Sequence, residues 1–194
     1  GRLAYLPGYR GRLELDAKTG LGLVRVGAVR SGGLVLTMKI IRNSGAERVV
    51  DLIRPKVVSG ARLDLVSSSL SLFAFEELMQ ELGKVSKARL LLPKEGADLA
   101  PLGSENDRLA RNQLRTRWLA GRLADWISTK ADVRRAMGDV PQGAAITRDP
   151  QGSPTQAVLG SLAFSTAGLG TTPGNPLSLI QTSESAEEAE LLSQ

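Results

Sequence analysis

Between residues 61 and 130 the hydrophobic period switches three times, and this alternation constrains the fold more than any other feature of the chain. Ala61 to Ser67 reads Ala-Arg-Leu-Asp-Leu-Val-Ser, an apolar and polar alternation that predicts a strand. A polar turn follows at Ser68, Ser69 and Ser71. Leu72 to Leu82, with Phe73, Phe75, Leu78, Met79 and Leu82 apolar, predicts an amphipathic helix stopped by Gly83. Lys87 to Leu92 is nearly all apolar after its basic start, which suits a strand buried on both faces. In Glu105 to Lys130, residues Leu109, Leu114, Trp118, Leu119, Leu123, Trp126 and Ile127 recur at three- and four-residue steps and predict one long helix. Asn43 or Ser44 would cap a further helix from Gly45 to Val57, ended early by Pro55. Val133, Ala144 to Thr147 and Gln156 to Leu159 supply more strands. Such alternation predicts an α/β fold, with a mixed, largely parallel sheet flanked by helices.

The two ends read differently from this centre. Residues 1 to 36 are rich in Gly and Arg, and are expected to form either a flexible leader or a small hairpin of Arg12 to Leu15 with Leu21 to Val29. The compact domain is expected from Thr37 to Gln194. Glu184, Glu187, Glu188 and Glu190 begin a helix with Ser183 as its expected cap, and this helix looks cut short. The first residue is Gly1 rather than Met, so the chain reads as part of a longer protein. No apolar run approaches the ~20 residues of a membrane-spanning helix. A soluble, cytoplasmic protein without membrane attachment is the expectation.

Composition narrows the chemistry. The chain has no His and no Cys, so a Ser-His-Asp or Cys-His triad, a thiolate nucleophile, a disulfide and the usual His/Cys zinc site are all excluded. Lys and Arg number 25 against 20 Asp and Glu, a net charge of +5 that favours an anionic partner. No Gly-rich loop followed by Lys-Ser or Lys-Thr is present, no carboxylate cluster suggests a metal site, and no cofactor is implied.

Two features point to phosphate. Ser67, Ser69 and Ser71 lie where a strand hands over to a helix, the place where α/β sheets bind ligands. They would equally serve as an ordinary turn and helix cap. Arg111 and Arg115, with Arg108, Arg117 and Arg122, form a basic helical segment that could neutralise nucleic-acid phosphates, while Trp118 and Trp126 fit core packing by their spacing.

The segment Gln156-Ala-Val-Leu-Gly160-Ser161-Leu-Ala163-Phe164-Ser165-Thr-Ala-Gly168-Leu169 resembles the second part of the phospholipase D signature. That family's pattern is His-x-Lys, four residues, Asp, about six residues, then Gly-Ser-x-Asn. Laid on this chain, Gln142 takes the place of His, Ala144 that of Lys and Asp149 that of Asp. Gly160 and Ser161 follow after four extra residues, and Ala163 replaces Asn. The order of the earlier elements is similar to one phospholipase D lobe, as found at the N-terminus of bacterial DNA helicase and defence-type proteins.

The resemblance implies that His attacks phosphorus while Lys and Asn stabilise the developing charge. Gln142 cannot be that nucleophile, because its amide lone pair is delocalised. Ala144 and Ala163 offer neither charge nor hydrogen bond, so the expectation is a non-catalytic lobe. Its remaining groove would hold phosphate through Gln142, Ser161, Ser165 and the Ser67 to Ser71 turn. Such a lobe would recognise nucleic acid, DNA above all, or a partner protein within a larger DNA-processing machine, and would be able to pair as a homodimer. Two alternatives stand beside it: an atypical nuclease using Asp149 and a metal held by Glu76, Glu77 or Asp64, and a purely structural dimerisation module.

Overall fold

The computed structural model of the protein describes residues 26–29, 35–94, 113–183 and 185–193. The hairpin expected at Arg12 to Leu15, the first turns of the long helix and Arg111 lie outside the described residues. Among the described residues eight strands form one sheet: β1 (Val26–Val29), β2 (Val35–Ile41), β3 (Arg62–Val66), β4 (Lys87–Leu92), β5 (Ala131–Arg135), β6 (Gly143–Arg148), β7 (Pro154–Gly160) and β8 (Ile180–Thr182). Their order across the sheet is β1-β2-β8-β7-β6-β3-β4-β5. The helices are α1 (Val49–Ile53), continued by a 3-10 turn over Arg54–Lys56, α2 (Leu72–Glu77), α3 (Met79–Lys84), α4 (Gln113–Lys130), α5 (Thr166–Leu169) and α6 (Ala186–Leu192).

The fold is therefore mixed α/β with helices against the sheet. Parallel pairing is confined to β3-β4 and β4-β5, where α2, α3 and α4 make the crossovers, and the other neighbours run antiparallel. The largely parallel sheet expected from the alternation thus holds for one side only. The reason is local for β6 and β7. Asp149 and Gly152 close a turn of four residues between them, and a turn that short can only return the chain antiparallel.

One face of the sheet carries the core. Leu63, Leu65, Ala88, Leu90, Leu92, Ala145 and Val158 point to the same side and pack with Val50, Ile53, Phe75, Leu78, Leu82 and Trp126 from the helices. Trp126 donates its indole N–H to the Leu82 carbonyl at 2.9 Å, so its polar edge is satisfied inside the core. Trp118, expected to pack like Trp126, is 52% exposed instead. The single helix expected over Leu72 to Leu82 is two short ones that turn at Leu78, and the second runs through Gly83 to Lys84. On the opposite face α6 covers Ile146 and Ala157. Its cap is Ser185, whose hydroxyl accepts from the Glu188 N–H at 3.2 Å, whereas Ser183 is buried and accepts from the Ala157 N–H at 3.0 Å. β2 runs across residue 37, where the compact domain was expected to start.

Candidate functional site

Three strands meet at one edge of the sheet. Gly143 pairs with Gly160 and Val66 with Ala144, so β6 enters, and β3 and β7 leave, at the same edge. This places Gln142, Ser161 and Ser67 at neighbouring strand ends. Ser67 and Ser71 are buried, however, and their hydroxyls are occupied. Ser67 donates to the Ser69 carbonyl at 2.6 Å and accepts from the Phe164 N–H at 2.7 Å. Ser71 accepts from the Phe73 N–H at 3.2 Å to cap α2, and its own N–H donates to the Phe164 carbonyl at 2.9 Å. Ser69, half-buried, donates its N–H to Ser67 Oγ at 3.3 Å. The Ser-rich turn thus holds the turn around Phe164 in place and does not itself line the opening beside it.

That opening is a cleft of about 680 Å³ between the β2-α1 loop and the segment from Ser161 to Ser178. Arg42 and Arg48 are its charged residues, and Ser44, Ser161, Ser165, Thr171, Thr172 and Ser178 carry hydroxyls, of which those of Thr171 and Thr172 already donate to Thr166. Among the described residues no carboxylate lines it. Arg48 donates to Asp51 from Nε at 2.7 Å and from its terminal nitrogen at 2.9 Å. These hydrogen bonds hold the Asp51 carboxyl below its usual range and raise the Arg48 guanidinium further. Arg42 is exposed and has no acidic partner among the described residues.

Asn43 fixes the walls of the cleft relative to each other. Its Nδ2 donates to the carbonyls of Ala167 and Gly168 at 3.1 and 2.8 Å, while its Oδ1 accepts from the Val49 N–H at 2.8 Å. One amide therefore closes the end of α5 and the start of α1. Ser165 caps α5 by accepting from the Gly168 N–H at 3.0 Å. Gly168 is required there, because a Cβ would lie 1.9 Å from the Ala163 carbonyl oxygen.

The other predicted positions divide. Ala163 lines the cleft, and Gln142 is exposed beside Ser161 without lining it. Ala144 sits half-buried in β6. Asp149 lies at the opposite end of β6, about 20 Å along the strand at ~3.3 Å per residue. Its Oδ1 accepts from the N–H groups of Gly152 and Ser153 at 2.7 and 2.8 Å, which makes it a turn residue outside the cleft. Arg115, on α4, pairs with Glu76 through Nε at 2.9 Å. Arg42, Asn43 and Arg48 were not singled out as site residues from the sequence. The only signal for them was the turn-forming Asn-Ser-Gly that follows an apolar strand.

The acidic residues considered for a metal do not converge. Glu76 is taken by Arg115, Asp149 by its turn, and Asp64 by Arg89 and Arg148. Among the described residues no three acidic groups could reach one ion. Burial alone would raise the Asp64 carboxyl, but the hydrogen bonds from Arg89 and Arg148 outweigh it and hold the group below its ordinary value. Its contribution to stability is therefore present above the unfolded value of about 3.9 and is lost as pH falls below it through the folded value. Acid titration of the unfolding midpoint should show a loss below about pH 4 that is smaller in Asp64→Asn. Equal acid sensitivity in the two proteins would contradict this assignment.

No helix among the described residues is long and apolar enough to cross a membrane. No family model matches the chain, and no curated protein matches it. Among solved structures it is similar to the crystal structure of polyphosphate kinase from Porphyromonas gingivalis, at 15% identity and a TM-score of 0.42. The match covers 80% of this chain and 24% of that one, so this chain spans about a quarter of that protein's length.

Proposed function

We propose that the chain is a non-catalytic phospholipase D-like domain that holds nucleic-acid phosphate in the Arg42 and Arg48 cleft, as one part of a larger DNA-processing protein. One observation carries this reading. A cleft with the guanidinium of Arg42, unpaired among the described residues, the Asp51-bound guanidinium of Arg48 and several hydroxyls lies against the Gly160-Ser161 turn that resembles the phospholipase D signature. Guanidinium and hydroxyl donors bind phosphate oxygens without supplying a nucleophile. With no His in the chain, and with Asp149 held in a turn at the far end of β6, nothing at this edge matches the attacking group of that family.

Fluorescence anisotropy with a labelled DNA oligonucleotide across a salt series tests the binding. Affinity should fall as salt rises, and Arg42→Gln should weaken it about 5- to 10-fold at 50 mM salt, the effect expected for one phosphate contact. Undetectable binding at that salt, or binding indifferent to salt, would sink the reading and leave the dimerisation module, which sedimentation would reveal as a stable dimer. Plasmid incubated with magnesium or manganese should remain intact. Cleavage abolished by Asp149→Ala would instead establish the nuclease.

A further inference from the structure

The sheet face opposite the core is open over β3 and β4, where residues alternate between buried and solvent-facing. Register lays three cations side by side there: Arg62 is paired with Arg148 on β6 and with Lys87 on β4. With strands about 4.8 Å apart, the row is ~10 Å wide. Like charges directly opposite one another are unfavourable, so such a row has a cost that a bound anion would remove. The next row holds Asp64, which accepts from Arg89 at 2.6 Å and from Arg148 at 2.7 Å. Among the described residues Asp64 is the single carboxylate of a depression of about 290 Å³ lined by Arg62, Asp64, Lys87, Arg89, Arg148 and Gly152. Four cations against one carboxylate leave a net +3. Arg62 and Lys87 are exposed and have no acidic partner among the described residues. Gly152 makes room for the Arg62 head, since a Cβ there would lie 3.0 Å from a terminal guanidinium nitrogen.

We infer that this row is a second phosphate-binding surface, separate from the cleft, that takes the sugar-phosphate backbone of a nucleic-acid strand laid across β6, β3 and β4. The shape favours a strand over a small anion. Farther along the same face Arg134 on β5 is ion-paired with Asp132 at 3.1 Å, so the free charge is the solvent-facing line of Arg62 and Lys87 on neighbouring strands, with Arg148 beside them. An extended chain of phosphates can follow that line, whereas a small anion would engage only one end of it. The row is at the start of β3 and the cleft is beyond its end, so neither site depends on the other.

The test uses the full chain and a labelled single-stranded oligonucleotide of about 20 nucleotides, long enough to exceed a typical site size. In the double variant R62Q/K87Q, affinity at 50 mM salt should fall at least about 10-fold, and the salt slope should shrink by about 1.4, or ~0.7 for each phosphate no longer neutralised. Lys87→Glu, which places an acid opposite Arg62, should weaken binding more than Lys87→Gln. Circular dichroism should show all three variants folded, because the replaced side chains are exposed. Affinity within two-fold of the parent in the folded double variant would overturn the inference. So would calorimetry in which pyrophosphate binds the parent but not the double variant while the oligonucleotide is unaffected, since the occupant would then be a small anion. Polyglutamate displacing the oligonucleotide at equal charge would also overturn it, in favour of an acidic protein segment. Arg42→Gln separates the two sites. If it weakens binding while R62Q/K87Q does not, the cleft stands and the row falls, and the reverse result removes the cleft alone.

Discussion

Gly143→Ala should lower the stability of the chain by about 3 kcal/mol or more, the upper end of overpacking costs, and the melting temperature by roughly 6–12 °C. A Cβ at this position would lie 1.8 Å from the Leu162 carbonyl oxygen, 2.8 Å from its carbon and 3.0 Å from the Val66 carbonyl oxygen. All three neighbours are backbone atoms, so no rotamer change relieves them, and β6 would have to move away from the Ser161 turn. Gly121 is the control. Nothing lies within 4 Å of a Cβ there, and the residue is exposed within α4. Gly121→Ala should stabilise by about 0.5–1 kcal/mol through helix propensity alone. Urea unfolding of the two variants reads both effects. A loss below 1 kcal/mol in Gly143→Ala would show that the strand ends are not packed as described.

Asn43→Ala is expected to cost about 4 kcal/mol, from three hydrogen bonds of ~1 kcal/mol each and ~1 kcal/mol of lost backbone compatibility. Asn43 sits at φ 54°, in the left-handed region that Asn tolerates better than Ala. Its amide joins the α5 carbonyls to the α1 N–H, so its removal also frees the two walls of the cleft. Asn43→Gly retains the backbone freedom while losing the same bonds, and should be more stable than Asn43→Ala by about 1 kcal/mol. Equal stability of the two would remove the backbone part of the argument. A loss under 1 kcal/mol in both would remove the hydrogen-bonding part.

What could be read from the sequence was what is determined over a few residues. The strand expected at Lys87 to Leu92 forms over those residues, and Ala61 to Ser67 differs from β3 by one residue at each end. Asp149-Pro150-Gln151-Gly152 was a legible turn signal, and giving it weight would have predicted the antiparallel pair β6-β7. Long-range pairing was not legible. Ile180 to Thr182 is too short to show a period, yet it forms a strand between β2 and β7. For the same reason the cleft stayed hidden. Arg42 and Ser161 are far apart in sequence, and the folded sheet brings them to one opening. Asp149 misled in the opposite way: its place in a motif suggested a shared site, while six residues of extended strand carry it to the other edge.

The place of β8 bears on how the chain assembles during synthesis. β2 reaches the rest of the sheet through the three residue pairs from Lys39–Thr182 to Ile41–Ile180. A ribosome releases the chain from its N-terminus, so β2, with β1 on one side, waits until Ile180 to Thr182 have been made before β8 exists on its other side. During that interval its open edge is free to pair with another nascent chain, the hazard common to strands whose partners lie far away in sequence. Any copy shortened before Ile180 would keep that edge permanently unpaired.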